Sequence, residues 1–159
     1  MITWNWDAIS AGAAALSTLA LVGSLYLLRR QLLAQSWAEL YGLMQGEDTR
    51  MARKRLYELS ETPVPIKDWA PETIKAVELI CQRYNYFARM VSLHFLPKRR
   101  ALQDWAWQFD RLWRVSKPYV DKWRKRPGEG RLWEDFQSFA EKSSKWLADN
   151  GPVAVLPVE

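Results

Sequence analysis

Reactive side chains are almost absent from this chain of 159 residues, which has one cysteine, Cys81, and one histidine, His94. A lone cysteine excludes an intrachain disulfide and any cysteine-rich metal site, and it fits a reducing compartment without demanding one. There is no glycine-rich phosphate loop, no G-x-S-x-G elbow and no H-E-x-x-H pair. Glu134 and Asp135 are neighbours on an expected helix and so point apart, while Glu58 and Glu61 suit a solvated face. His94 lies among Leu93, Phe95 and Leu96, a setting that suits a turn residue better than a general base. Cys81 falls on an apolar helical stripe, away from the exposed, positive surroundings a reactive thiol needs. The expectation is no catalytic group, no cofactor and no metal. An enzyme working through its few carboxylates stays as a third reading, and it would need a deep cleft holding several acids.

Positive charge is missing locally. All 23 Lys and Arg come after residue 28, and of the 18 Asp and Glu only Asp7 precedes Arg29. Residues 8–28 carry no charge at all. As a helix they reach roughly 31 Å, about the hydrocarbon thickness of a bilayer. Trp4 and Trp6 stand before this run, Tyr26 near its end, and Arg29 and Arg30 directly after it. Aromatic rings favour the two interfaces, and the arginines place the following residues in the cytoplasm with the N-terminus outside. A cleaved signal peptide would want a positive N-region and a polar cleavage zone. Here the N-region reads "MITWNWD" and the apolar run meets arginines at once. An uncleaved single-pass anchor in a bacterial inner membrane is therefore expected.

The span is rich in small residues. Ser10, Ala13, Ser17, Ala20 and Ser24 recur at spacings of three or four and share one helical face. Such a ridge lets a second helix approach closely, although the same face could simply meet lipid.

Beyond Arg30 nothing breaks the helix until Gly42 and Gly46. Leu33, Trp37, Leu40, Tyr41 and Met44 keep one face, so a single helix is expected to about residue 45. A second helix suits "DTRMARKRLYELS", with Asp48 or Thr49 near its cap and Leu56 and Leu59 inward. Proline-rich "ETPVPIKDWAPET" reads as a loop, and Pro71 opens the third helix. Ile74, Val77, Ile80, Cys81, Tyr84, Phe87, Ala88 and Val91 follow its 3.6-residue period. "HFLPKRR" turns the chain, with Pro97 initiating the next helix. That fourth helix buries Leu102, Trp105, Phe109, Leu112 and Trp113, and Pro118 should kink or end it. After the "PGEG" turn a last helix from Arg131 turns Leu132, Trp133, Phe136, Phe139, Ala140, Trp146 and Leu147 inward and stops at "NGP".

The expected fold class is all-α: a single N-terminal transmembrane helix continuing into a four- to five-helix cytoplasmic bundle with a Trp- and Phe-rich core. Residues 1–30 form the anchor, 31–150 the helical domain, and 151–159 an extended apolar tail.

Net charge is +5 and there are ten tryptophans. A basic, aromatic-rich domain suits an anionic or protein partner. Beyond the arginine pair, the cations gather at Arg50, Arg53, Lys54 and Arg55, at Lys98, Arg99 and Arg100, and at Lys122, Arg124, Lys125, Arg126 and Arg131. Trp69, Trp107 and Trp123 fit the core stripes least well. Candidate lipid or partner contacts are therefore Arg53, Lys54, Arg55, Lys98, Arg99, Arg100, Trp107, Lys122, Trp123, Arg124, Lys125 and Arg126, against the simpler reading of solvated charge and packed rings. No nucleic-acid reader motif is present.

From about Ala76 to Leu147, the segments "YNYFARMV", "PYVDKWR" and "LWEDF" stand out, as does "LYLLRRQL" nearer the N-terminus. Together they resemble an uncharacterised bacterial family of small proteins with one N-terminal transmembrane helix and a cytoplasmic helical domain of unknown function. The resemblance implies a bacterial origin and a single-pass anchor. It brings no accepted activity, catalytic residue or cofactor, and the proline-rich loop departs from it. The functional expectation is a non-catalytic accessory or assembly subunit of a larger integral membrane complex. The alternative is a membrane-tethered sensor or effector domain answering a ligand or anionic lipid.

Overall fold

The computed structural model describes residues 6–151, with side chains for Ser17 and from Leu19 onward. Among the described residues every regular element is a helix, and there is no strand. The five are α1 Trp6–Gln45, α2 Glu47–Glu61, α3 Pro71–Ser92, α4 Lys98–Arg124 and α5 Glu134–Asn150, with one 3₁₀ turn at Ile66–Asp68. The chain divides into two compact units, 1–38 and 39–159.

In the first unit the described part of α1 is largely exposed. Leu19, Leu21, Val22, Leu25, Tyr26, Leu27, Leu28 and Leu32 are each 52–69% exposed, and Leu33 and Trp37 are half-buried. Among the described residues no helix is long and apolar enough to cross a membrane. The expected span, residues 8–28, begins with nine residues whose side chains lie outside those described, as does that of Thr18.

The second unit is a bundle built on the last turns of α1 and on α2–α5. Leu40 and Met44 are buried, as their stripe requires, while Tyr41 is exposed. Gly46 is extended (φ −55°, ψ 149°) and separates α1 from α2. The elbow is held by side chains. Thr49, fully buried, donates to the Leu43 carbonyl at 2.8 Å. Arg83 of α3 donates to the same carbonyl at 3.3 Å and also to Thr49 Oγ1. These bonds satisfy a C-terminal carbonyl of α1 that has no partner within its own helix. Thr49 thus serves the end of α1, and the residue capping α2 is Gly46 rather than Asp48 or Thr49.

α3 is the central element. Val77, Ile80, Cys81, Tyr84, Phe87, Ala88 and Val91 are all buried, and Ile74 is half-buried at the helix start. Seven rings make a continuous aromatic core: Tyr84 and Phe87 from α3, Trp105, Phe109 and Trp113 from α4, and Phe136 and Phe139 from α5. Phe109 sits at its middle, 4.5 Å from Phe139 and 4.7 Å from Tyr84 between ring centroids. Edge-to-face packing at such distances adds ~0.5–1.5 kcal/mol per pair beyond area burial.

α4 runs through Pro118 without a break. Of the kink or end expected there, the end is not found, since the helix continues to Arg124. Pro118 lies on the exposed side, whereas Ser116, Tyr119 and Val120 beside it are buried. Their packing outweighs the ~3 kcal/mol that an internal proline costs. α5 starts at Glu134, three residues later than the sequence suggested, because Trp133 adopts the left-handed region (φ 57°). Asn85 of α3 then accepts the Phe136 amide at 3.1 Å, capping the first turn. α5 ends where "NGP" predicts, at Gly151 with φ 74°.

Candidate functional site

The expected transmembrane ridge is visible only in part. Ser17, Ala20 and Ser24 are exposed, and Ser24 Oγ donates back to the Ala20 carbonyl at 2.8 Å. The side chains of Ser10, Ala13 and Trp6 lie outside the described residues, and so does Trp4 altogether. Tyr26, Arg29 and Arg30 are exposed within one turn and a half of helix.

The basic clusters separate into surface and structural cations. Lys54, Arg55, Lys98, Arg99, Arg100, Lys122, Lys125 and Arg126 are exposed. Arg53 is not a surface contact, being only 8% exposed. Its Nη1 donates to Gln108 Oε1 at 2.9 Å and its Nη2 to Gln45 Oε1 at 3.2 Å. Tyr84 donates its hydroxyl to the same Gln108 oxygen at 3.1 Å. A buried charge therefore joins the end of α1, α2, α3 and α4 through neutral amides. Arg124 is likewise structural. It donates from Nε to the Leu132 carbonyl at 2.9 Å and from Nη1 to Gln137 Oε1, bracing the turn before α5. Arg53 leaves the set of candidate contacts because its guanidinium is spent on Gln108 and Gln45, and Arg124 leaves it because its guanidinium is turned into the fold, where Nη2 is buried without a partner.

The three outlying tryptophans also differ. Trp69 is buried: it donates to the Val64 carbonyl at 2.9 Å and stacks on Tyr119, pinning the proline-rich loop to α4. Trp123 is half-buried with the Arg126 guanidinium 3.5 Å above its ring. Trp107 is half-buried beside Tyr57, and Arg111 lies over both rings at 5.3 and 4.5 Å.

Arg111 crosses a cleft of about 630 Å³ between the end of α2, the proline-rich loop and α4. Ser60 Oγ accepts from it at 2.9 Å and Glu61 at 3.3 Å. Asp110 is paired with Arg114 at the same rim. Both arginines meet acids of the chain itself, and the walls are Pro63, Val64, Trp69, Val115 and Pro118. The cleft offers apolar surface and paired charge.

The two reactive side chains are placed as the sequence suggested. His94 is exposed in the turn after α3. Cys81 is fully buried, and burial pushes its thiol up to about 12. A thiol so disposed does not ionise at neutral pH. Among the described residues no group of His, Cys, Asp and Glu could hold a metal.

Sequence reasoning missed the end of α3. Leu93 and Phe95 are 55% and 47% exposed, directly before Lys98, Arg99 and Arg100. The signal was present in "LHFLPKRR", but two apolar residues in a short turn look like ordinary loop anchors. Leu96 is in fact that anchor, fully buried between them and the cations.

Comparison with family models, with curated proteins and with solved structures finds no match to this chain.

Proposed function

We propose that this chain is a non-catalytic single-pass membrane protein, anchored through residues 8–28, whose helical domain serves as an accessory or assembly subunit of a larger membrane complex. One observation carries the anchor: large apolar side chains stand exposed around α1 from Leu19 to Leu32, with charge only at Arg29 and Arg30. A helix that is apolar all round belongs in a non-aqueous surrounding. Each such side chain forgoes about 1.5–3 kcal/mol by staying in water. Together they forgo as much as the ~5–15 kcal/mol that holds a whole domain folded. The uncharged run extends this surface back to Ala8, and the arginines orient it N-terminus outside with the bundle in the cytoplasm. The resemblance of "LYLLRRQL" and the later segments to single-pass bacterial proteins supports an inner-membrane location.

The subunit role draws on the exposed small residues Ser17, Ala20 and Ser24, which suit helix–helix approach, and on a solid aromatic core without reactive groups. Alkaline carbonate extraction of cells making the full chain is expected to leave it in the membrane pellet. Release into the supernatant overturns the anchor. Native mass spectrometry from mild detergent is expected to show a second integral membrane protein, and the chain flying alone overturns the subunit role. A tethered sensor is the second reading, favoured by the α2–α4 cleft. Arg111→Ala abolishing a ligand-induced rise in melting temperature would move the assignment there.

A further inference from the structure

We propose that the turn between α3 and α4 is a second membrane contact, which sets Leu93 and Phe95 into the interface of an anionic bilayer with Lys98, Arg99 and Arg100 at its headgroups. The backbone presents these apolar residues rigidly. The Phe95 amide donates to the Met90 carbonyl at 3.0 Å and the His94 amide to the Val91 carbonyl at 3.1 Å, the paired bonds of a Schellman ending. His94 occupies the left-handed position (φ 63°) that such an ending normally gives to glycine. The chain is therefore held in one shape, with Leu96 buried as its root and the two apolar side chains outward.

The charge beside them has one sign. The first turn of α4 contains no acid, and Lys98, Arg99 and Arg100 stand at the positive end of the helix dipole. Arg89 in the last turn of α3 adds a fourth cation near the same turn. Asp104, one turn further along α4, lies 3.7 Å from Arg100. Cations at a helix N-terminus oppose the dipole, so the arrangement suits an external anion. An anionic lipid surface matches both halves: it takes the side chains of Leu93 and Phe95 below its headgroups and the cations among them. Each added cation near such a surface multiplies partitioning ~5-fold, and the effect weakens as salt is raised.

The test uses the full chain reconstituted in vesicles. Phe95→Cys, and separately Leu93→Cys, is labelled with an environment-sensitive dye, because buried Cys81 does not react in the folded chain. A Glu58→Cys label on α2 is the reference. In vesicles mixing phosphatidylcholine with phosphatidylglycerol, quenching of the dye at 93 or 95 by aqueous iodide is expected to fall at least ~5-fold relative to pure phosphatidylcholine. The Glu58 position should stay aqueous in both. Replacing Lys98, Arg99 and Arg100 together by Gln should restore full quenching, while the melting temperature stays within a few degrees. Equal quenching in both vesicle types overturns the proposal, as does protection that survives the triple replacement. Protection appearing only when another membrane protein is added also overturns it, in favour of a protein partner. The span and the turn fail separately: carbonate extraction reports only the first, and the labels at 93 and 95 only the second.

Discussion

Gln108 is the residue on which the bundle's buried charge depends. Its side-chain oxygen accepts from Arg53 at 2.9 Å and from Tyr84 at 3.1 Å, and both donors are buried. Gln108→Leu keeps the size of the side chain and removes the acceptor. A hydrogen bond to a charged group contributes ~1.5–3 kcal/mol and a neutral one ~0.5–1.5. The guanidinium keeps its bond to Gln45 at 3.2 Å, and a half-buried Leu gains a little apolar burial. The expected net loss is about 2–3 kcal/mol. For a domain of this size that lowers the melting temperature by about 8–15 °C. The assay is unfolding of the full chain in detergent, followed by tryptophan fluorescence and by far-ultraviolet circular dichroism. The decisive partner is Arg53→Met/Gln108→Leu. If the cost comes from an unsatisfied buried charge, removing the charge recovers more than half of the loss. A fall of under ~3 °C in the single variant, or a double variant no more stable than the single one, refutes the reasoning.

Alkali should unfold the bundle in a definite order. Burial raises the Cys81 thiol from 9.0 to about 12 and raises the hydroxyls of Tyr57 and Tyr84. These groups stay protonated in the fold while the unfolded chain releases their protons, so their contribution is full below about pH 9 and is lost as pH rises from there toward 12. Cys81→Ala should delay the onset to about pH 10, where the tyrosines of the unfolded chain begin to ionise. Melting temperature against pH reads this, and an unchanged onset would reject the assignment. Arg111→Lys is expected to cost about 1–2 kcal/mol in chemical denaturation, because an ammonium cannot lie flat over Tyr57 and Trp107 while bonding Ser60 and Glu61. Full stability in this variant removes the stacked guanidinium from the account. His94→Gly should stabilise by about 0.5–1 kcal/mol, since it relieves a left-handed non-glycine residue at some entropic cost in the unfolded chain. A loss of stability there would show that the His94 side chain holds the turn.

Much of the helical plan was legible. A helix can be read from the sequence when its neighbours in space are also its neighbours in the chain, at three and four residues. α3 is the clear case, because its stripe from Val77 to Val91 is the buried face observed. The end of α1 near residue 45, the opening of α3 at Pro71, the turn at Pro97 and the stop at Gly151 follow from glycine and proline stereochemistry. Pro118 misled as to the end of α4, since local rules weigh the missing amide and cannot weigh the burial of the adjacent Tyr119 and Val120.

The candidate surfaces were half legible for a related reason. Charge runs identify cations, but not which of them a fold consumes. Arg53, Lys54 and Arg55 look alike in sequence. Only the approach of α4 brings Gln108 to Arg53, from 55 residues away in the chain, and turns that one cation inward. Trp69 was sorted the same way, by Tyr119 arriving from α4. The residues alone determined that this chain is helical, poor in reactive groups and uncharged between Ala8 and Leu28, because period and composition are properties of the chain. Tertiary structure decided which cations remain at the surface, that Leu93 and Phe95 stand exposed beside them, and that α4 survives its proline, because each depends on which distant side chain arrives to cover or leave a polar or apolar group.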